Sequence, residues 1–270
     1  SRCRLSSLTE VESRGGRVVR FDIDYTIAMD GRLLRESYDA LWNLSEAGIA
    51  AIPVTGRPAG WCDLIARQWP VAGVVGENGA FAFHMQDDKL ERLYHPAAPE
   101  PGSVRLRLAG LSSSALEAFP GLRLAKDQAY RLFDIALDFA EEEPRFDLAF
   151  ASKVKAYCET AGATAKVSSI HVNAWFGNYD KLSMAENFLS SVLGYDPRID
   201  LSSVLYFGDS PNDEPMFRHF PLSCSVANVE KYRDLLKHSP AFITREPFGY
   251  GFAEGVEVLM RMRENRLDRV

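Results

Sequence analysis

Residues 17–26 read RVVRFDIDYT, an apolar run interrupted by Arg20 that delivers two aspartates, Asp22 and Asp24, and then Thr26. The run is short and rich in β-branched residues, as expected of a strand buried on both faces. Carboxylates are costly to desolvate, and two so close together repel each other. A pair of them at the end of a buried strand calls for a cation or for a chemical task. Arg20 either pairs with an acidic neighbour or faces solvent.

The pattern around this strand sets the fold. Residues 35–47 carry Tyr38, Leu41, Trp42 and Leu44 at helical spacing, and Gly48 closes the helix. An apolar run at 49–54, a helix at 61–68 and another apolar run at 71–75 follow. The order β-α-β-α-β predicts a parallel sheet covered by helices. Past Gly76-Glu77-Asn78-Gly79 come two strands around the turn QDDK, then a proline-rich stretch at 96–102. Helix–strand–strand then repeats twice, up to residue 174. The parallel pattern resumes with a helix at 181–193 and a strand at 203–207, and a further helix is expected over 229–237. The reading is α/β: a Rossmann-like parallel-sheet core from residues 1–85 and 178–270, with an inserted α+β unit over 86–177.

Composition narrows the function. With 31 Lys and Arg against 37 Asp and Glu, the formal net charge is −6, which argues against binding a nucleic-acid backbone. No apolar run approaches the ~18 residues of a membrane span. The polar first sixteen residues lack the apolar core of a signal segment, so a cytoplasmic protein is expected. Cys3, Cys62, Cys158 and Cys224 form no CxxC pair and read as free thiols. Oligomeric state is not legible.

Several proposed core strands end in unusual residues at their carboxyl side: Asp22-x-Asp24, Thr55-Gly56, and Gly208-Asp209-Ser210-Pro211-Asn212-Asp213. Ligands bind at that side of open α/β sheets. A calcium loop counted from Asp22 fails, because position 6 is Ile27 and position 12 is Leu33. Mg²⁺ suits the set: it takes oxygen ligands, few protein carboxylates, and substrate phosphate. Asp22, Asp209 and Asp213 would supply the carboxylates. An aspartate can also be the nucleophile of phosphoryl transfer, with Thr55 and a lysine around the phosphoryl oxygens. Lys181, which opens the helix where the parallel pattern resumes, is the first candidate; Lys166, inside a proposed strand of the insert, is the next.

These residues resemble the four motifs of haloacid dehalogenase-like (HAD) phosphohydrolases: FDIDYT, VTGRP, NYDKLSMA and GDSPNDEPMF. The insert resembles the cap of the subfamily IIB, Cof-like, sugar-phosphate phosphatase branch, as does GENGA at 76–80. The resemblance implies Asp22 as nucleophile and Asp24 as general acid and base. Thr55 and Lys181 would hold the phosphoryl group, and Gly56 and Arg57 of the second motif would contact substrate. Mg²⁺ would sit on Asp22, the Asp24 carbonyl, Asp209 and Asp213, with Asn212 steadying Lys181 or the metal shell. Tyr25 departs from the glycine common at its position.

The expected activity is Mg²⁺-dependent hydrolysis of a small phosphorylated metabolite, a sugar phosphate first among candidates, through an aspartyl-phosphate. The alternatives are a phosphosugar mutase, faintly suggested by WFGNYDK at 175–181, and a binding module that kept the fold. Asn78 at the hinge is a candidate substrate contact. His171 and Asn173, on one face of the stretch 169–177, are candidates for reading sugar hydroxyls. Arg123, Lys126 and Arg131 could add a second anion contact.

Overall fold

The computed structural model describes residues 3–4, 17–168, 170–196 and 200–267 of the 270. Segment 5–16, read from sequence as a polar lead, and Ser169 lie outside the described residues.

The strand that opens the argument, β2 (Val18–Phe21), lies inside a six-stranded parallel sheet that also contains β1 (Cys3–Arg4). A short hairpin, β3 (Ala28–Met29) and β4 (Arg32–Leu33), leads to α1 (Arg35–Glu46), β5 (Ala50–Pro53) and α2 (Ala59–Gln68). Then come β6 (Val74–Gly76), β7 (Phe81–Gln86), β8 (Lys89–Tyr94), α3 (Pro101–Ala118), β9 (Arg123–Leu124), β10 (Asp134–Asp138), α4 (Leu148–Thr160), β11 (Thr164–Val167) and β12 (His171–Trp175). The chain closes with α5 (Lys181–Leu193), β13 (Val204–Gly208), α6 (Glu214–His219), β14 (Leu222–Ser225), β15 (Phe242–Ile243) and α7 (Phe248–Leu267).

The parallel sheet runs β1-β15-β14-β13-β2-β5. Side chains alternate across β2. Val19 and Phe21 pack with Leu41, Leu44, Phe252 and Val256 on one face; Val18 packs with Ile52, Met184, Phe188 and Phe217 on the other. Register is what positions the site. Phe21 stands beside Phe207 on one neighbour and beside Pro53 on the other. The residues that follow, Asp22, Gly208-Asp209 and Val54-Thr55, therefore leave adjacent strands at one level, about 5 Å apart per strand.

The run at 71–75 behaves differently from a third core strand. Only Val74–Gly76 is extended; it touches the parallel sheet through one bridge, Val54 to Val75, and then pairs antiparallel with β7. Strands β6, β7 and β8 form a separate sheet, so the division drawn from sequence between 85 and 86 falls inside the β7–β8 hairpin. The 229–237 helix is absent: Ala227–Leu235 forms 3₁₀ turns, because only Asn228 and Val229 are buried there and no apolar face holds an α-helix. The inserted segment follows the expected order. Helices α3 and α4 cover one face of an antiparallel sheet, β11-β12-β10-β9, around a second apolar core drawn from residues between Val104 and Phe176. No helix among the described residues is long and apolar enough to cross a membrane.

Arg20 does not face solvent and forms no ion pair within bonding distance among the described residues. It is fully buried, stacks 5.0 Å from the Phe220 ring centre, and donates one hydrogen bond, Nη2 to the Ala185 carbonyl at 2.9 Å. Its Nε and Nη1 have no hydrogen-bond partner among the described residues. Burial pulls its pKa down to about 9, against the opposing fields of Glu186 and Tyr206. A half-satisfied buried cation opposes folding. Arg20→Met is expected to raise stability by about 1–3 kcal/mol, a Tm rise of roughly 2–10 °C. A lower Tm in a thermal melt would overturn this account.

Candidate active site

Asp22 is buried at the end of β2, where its backbone N–H bonds the Phe207 carbonyl at 3.0 Å. Its Oδ1 accepts the Ile23 N–H at 2.9 Å and a hydrogen bond from Lys181 Nζ at 3.2 Å. Lys181 is the first residue of α5, whose start is fixed by a capping box. Asp180 accepts the Ser183 N–H at 2.8 Å, and the Ser183 hydroxyl accepts the Asp180 N–H at 3.1 Å. The loop before β7 props this start. Gly79 adopts φ +104°, and a Cβ there would lie 2.0 Å from the Asp180 carbonyl oxygen, so only glycine permits the approach.

Asp209 and Asp213 complete a carboxylate triad. One oxygen from each of Asp22, Asp209 and Asp213 lies within 4.8 Å of the others, and all three residues are buried. Asp213 is held by the Asp209 and Ser210 N–H groups at 2.9 and 3.2 Å and by the Tyr206 hydroxyl at 2.6 Å. Gly208 makes room: a Cβ there would meet the Asp213 carboxyl carbon at 2.5 Å. The Thr26 hydroxyl donates to Asp209 Oδ1 at 3.2 Å. Burial, Asp213 and Asp24 push Asp22 up to about 7 against the pull of Lys181. Burial with Asp213 and Asp22 also raises Asp209 far above the usual carboxylate range. Burial works against the Lys181 ammonium, yet Asp22 and Asp213 outweigh it and raise its pKa. A hard, crowded, desolvated oxygen set of this kind can hold a metal ion.

Asp24 stands outside the triad. Arg57 grips its carboxylate through Nε at 3.0 Å and Nη2 at 2.5 Å, while the Arg57 guanidinium lies 4.3 Å over the Trp61 ring. A forked pair of this geometry orients the carboxylate. Thr55 is buried; its hydroxyl accepts the Arg57 N–H at 3.1 Å and can still donate. Tyr25 sits at φ +60°, which explains why glycine suits the position. Asn228 pins the strained turn, donating to the Tyr25 carbonyl at 3.1 Å and accepting the Phe248 N–H at 3.0 Å. Sequence reasoning missed Asn228; the glycine departure at Tyr25 was the available signal that something must hold that turn.

The other expected substrate contacts divide. Asn78 and Asn173 converge: their amides donate to the same Asp134 oxygen at 3.1 and 3.2 Å. Arg131 donates to the other Asp134 oxygen at 2.8 Å and to the Gly56 carbonyl at 3.1 Å, and also pairs with Asp127. His171 lies at the far end of β12 against Glu141, 2.7 Å away, and is not brought to Asp22. Asn212 is exposed and makes no contact with Lys181 among the described residues. Arg123 and Lys126 are paired with Asp138 and Glu142. A missed residue, Glu77, ties core to insert. It is buried at φ +41° and accepts N–H groups from Ala59 on α2 and from Leu132, Phe133 and Asp134 before and on β10. Burial and Asp134 push it up to about 8, against the Leu132 and Phe133 donors and Arg131. The sequence offered only its place in a turn.

No family model matches the chain. It is 26% identical over 252 residues to a phosphoglycolate phosphatase of Methanobrevibacter smithii, covering 88% of this chain and 96% of that one. Among solved structures it superposes on the C-terminal domain of trehalose-6-phosphate phosphatase from C. albicans, with TM-score 0.69, 13% identity, and 96% and 97% of the two chains covered. It also superposes on a HAD subclass IIB sugar phosphatase, with TM-score 0.62, 15% identity, and 89% and 98% covered. With its parallel sheet, inserted α+β unit and aspartates at the strand ends, the chain has the haloacid dehalogenase-like fold of these phosphatases.

Proposed function

We propose that this chain is a Mg²⁺-dependent phosphatase that hydrolyses a small phosphorylated metabolite, a sugar phosphate in the first instance, through an aspartyl-phosphate. The observation that carries the reading is the placement of Asp22. Among the described residues it is the one carboxylate that both accepts from Lys181 and belongs to the buried triad. The names of the similar proteins support a phosphoric monoester as substrate class. The inserted unit, with its own apolar core and a polar network against Glu77 and Asn78, serves as a cap over the site. A reducing, cytoplasmic setting agrees with the free, buried thiols of Cys62, Cys158 and Cys224.

An Asp22 oxygen attacks phosphorus, the bond from phosphorus to the leaving oxygen breaks, and Asp24 gives that oxygen a proton. Asp24 then takes a proton from water, the water oxygen attacks phosphorus, and the bond to Asp22 breaks to release phosphate. Arg57 holds the Asp24 carboxyl group in orientation, and Lys181 with the Thr55 hydroxyl faces the transferring oxygens. Asp22, Asp209 and Asp213, with the Asp24 carbonyl implied by the motif, would hold Mg²⁺, which supplies positive charge beside the phosphoryl oxygens.

The test is inorganic phosphate release from a panel of phosphorylated metabolites. Release is expected with Mg²⁺, with loss of activity in EDTA and recovery on re-addition. Interconversion of sugar phosphates without phosphate release would indicate a mutase. Mg²⁺ binding with no turnover of any kind would indicate a binding module.

A further inference from the structure

The sheet of the inserted unit has two faces. Ile135, Leu137, Ala165, Val172 and Ala174 point to its own apolar core. Alternation along the strands sends Asp134, Lys166, Asn173 and Trp175 to the opposite face. That face is turned toward the parallel-sheet unit, since Asp134 accepts from Asn78 and Trp175 packs in the main core cluster. In register, Lys166 stands directly across from Asn173. Lys166 is solvent-exposed, and its ammonium lies within electrostatic reach of Lys181, Asp180 and Asp213: desolvation and Lys181 lower its pKa, while the two aspartates oppose them.

The other cations of this region are already paired. Arg57 is on Asp24, Lys181 on Asp22, Arg131 on Asp127 and Asp134, Arg123 on Asp138, and Lys126 on Glu142. Lys166 has no ion-pair or hydrogen-bond partner among the described residues. The Lys166 and Lys181 ammonium groups repel each other, and an anion between them converts repulsion to attraction. Lys181 faces the scissile phosphoryl group in the reading above, on which this inference rests. Lys166 is left for something beyond it.

We propose that Lys166 binds a second anionic group on the substrate, so that the site selects phosphorylated molecules whose leaving portion carries a carboxylate or a further phosphoryl group. A neutral leaving portion offers the ammonium of Lys166 no partner in place of water. This replaces Arg123, Lys126 and Arg131 as the second anion contact.

Calorimetric binding of non-hydrolysable ligands to the full chain with Mg²⁺ tests it without turnover. Propylphosphonate is compared with 3-phosphonopropionate and propane-1,3-bisphosphonate. Wild type is expected to bind at least one of the two probes that carry a second anionic group about tenfold to a hundredfold more tightly than propylphosphonate, the size of one charge-assisted contact. Which probe wins tells carboxylate from phosphoryl. In Lys166→Met the gap should shrink to about twofold or less while propylphosphonate binding holds. No gap in wild type, or an undiminished gap in the variant, overturns the inference. Phosphate release and its loss in Asp22→Asn judge the phosphatase reading separately.

Discussion

Asp22→Asn is expected to abolish phosphate release, a fall on the order of 10⁴-fold or more in kcat for the loss of a covalent nucleophile. The amide keeps the shape of the side chain but offers a far weaker nucleophile. It also removes the negative charge that Lys181 faces at 3.2 Å. The same substitution should move stability the other way in metal-free protein. Folded Asp22 titrates at about 7 in place of 3.8, raised first by burial and then by Asp213 and Asp24. Between those values the folded chain holds a proton that the unfolded chain has lost. The group's contribution is therefore complete below about pH 4 and is lost as pH rises through about 7. Asp22→Asn should flatten that part of the stability curve, measured by urea unfolding in EDTA from pH 4 to 8. Wild-type turnover in clean variant protein would sink the mechanism. An unchanged pH slope would sink the assignment of the proton to Asp22.

Glu77→Ala is expected to be the most destabilising single change. The carboxylate accepts N–H groups of Ala59, Leu132, Phe133 and Asp134 in a buried site, and alanine leaves them without a partner. At about 1–3 kcal/mol for each stranded donor, and allowing for relaxation, a loss of about 4 kcal/mol or more follows. In a chain of this size that is a Tm drop of roughly 10 °C. Glu77→Gln should fall between, since the amide oxygen still accepts while its NH₂ faces donors. Amide exchange at 132–134 should accelerate in both. A thermal melt within about 1 kcal/mol of wild type would show that the turn tolerates open donors.

The placement of the candidate site residues was legible because the proposed chemistry dictates residue type at strand ends. Asp22, Thr55, Asp209 and Lys181 each follow an apolar run or open a helix, and parallel register then brings the strand-end residues to one level. The helix–strand–strand order of the insert was legible through its apolar spacing. What sequence hides is which polar group answers which. Glu77 and Asp134 look like turn and strand residues until the fold lays them together. Arg131 looked free and is engaged three ways, whereas Lys166 looked like a strand residue and has no partner among the described residues. The 229–237 segment misled because its apolar spacing is helical, while Asn228 at its start is committed to Tyr25 and Phe248.

The close approach of Gly79 to Asp180 has a consequence for how such a protein can diversify. Lys181 follows β12 by only a few residues, so the strand that carries Asn173 and the lysine that donates to Asp22 share one short stretch of chain. The Gly79 backbone braces that stretch from the opposite side. Changes that reshape β11 and β12 are thereby absorbed before they reach Lys181. On the proposed function, substrate preference drifts by substitution on the inserted sheet while the groups around Asp22 stay in place.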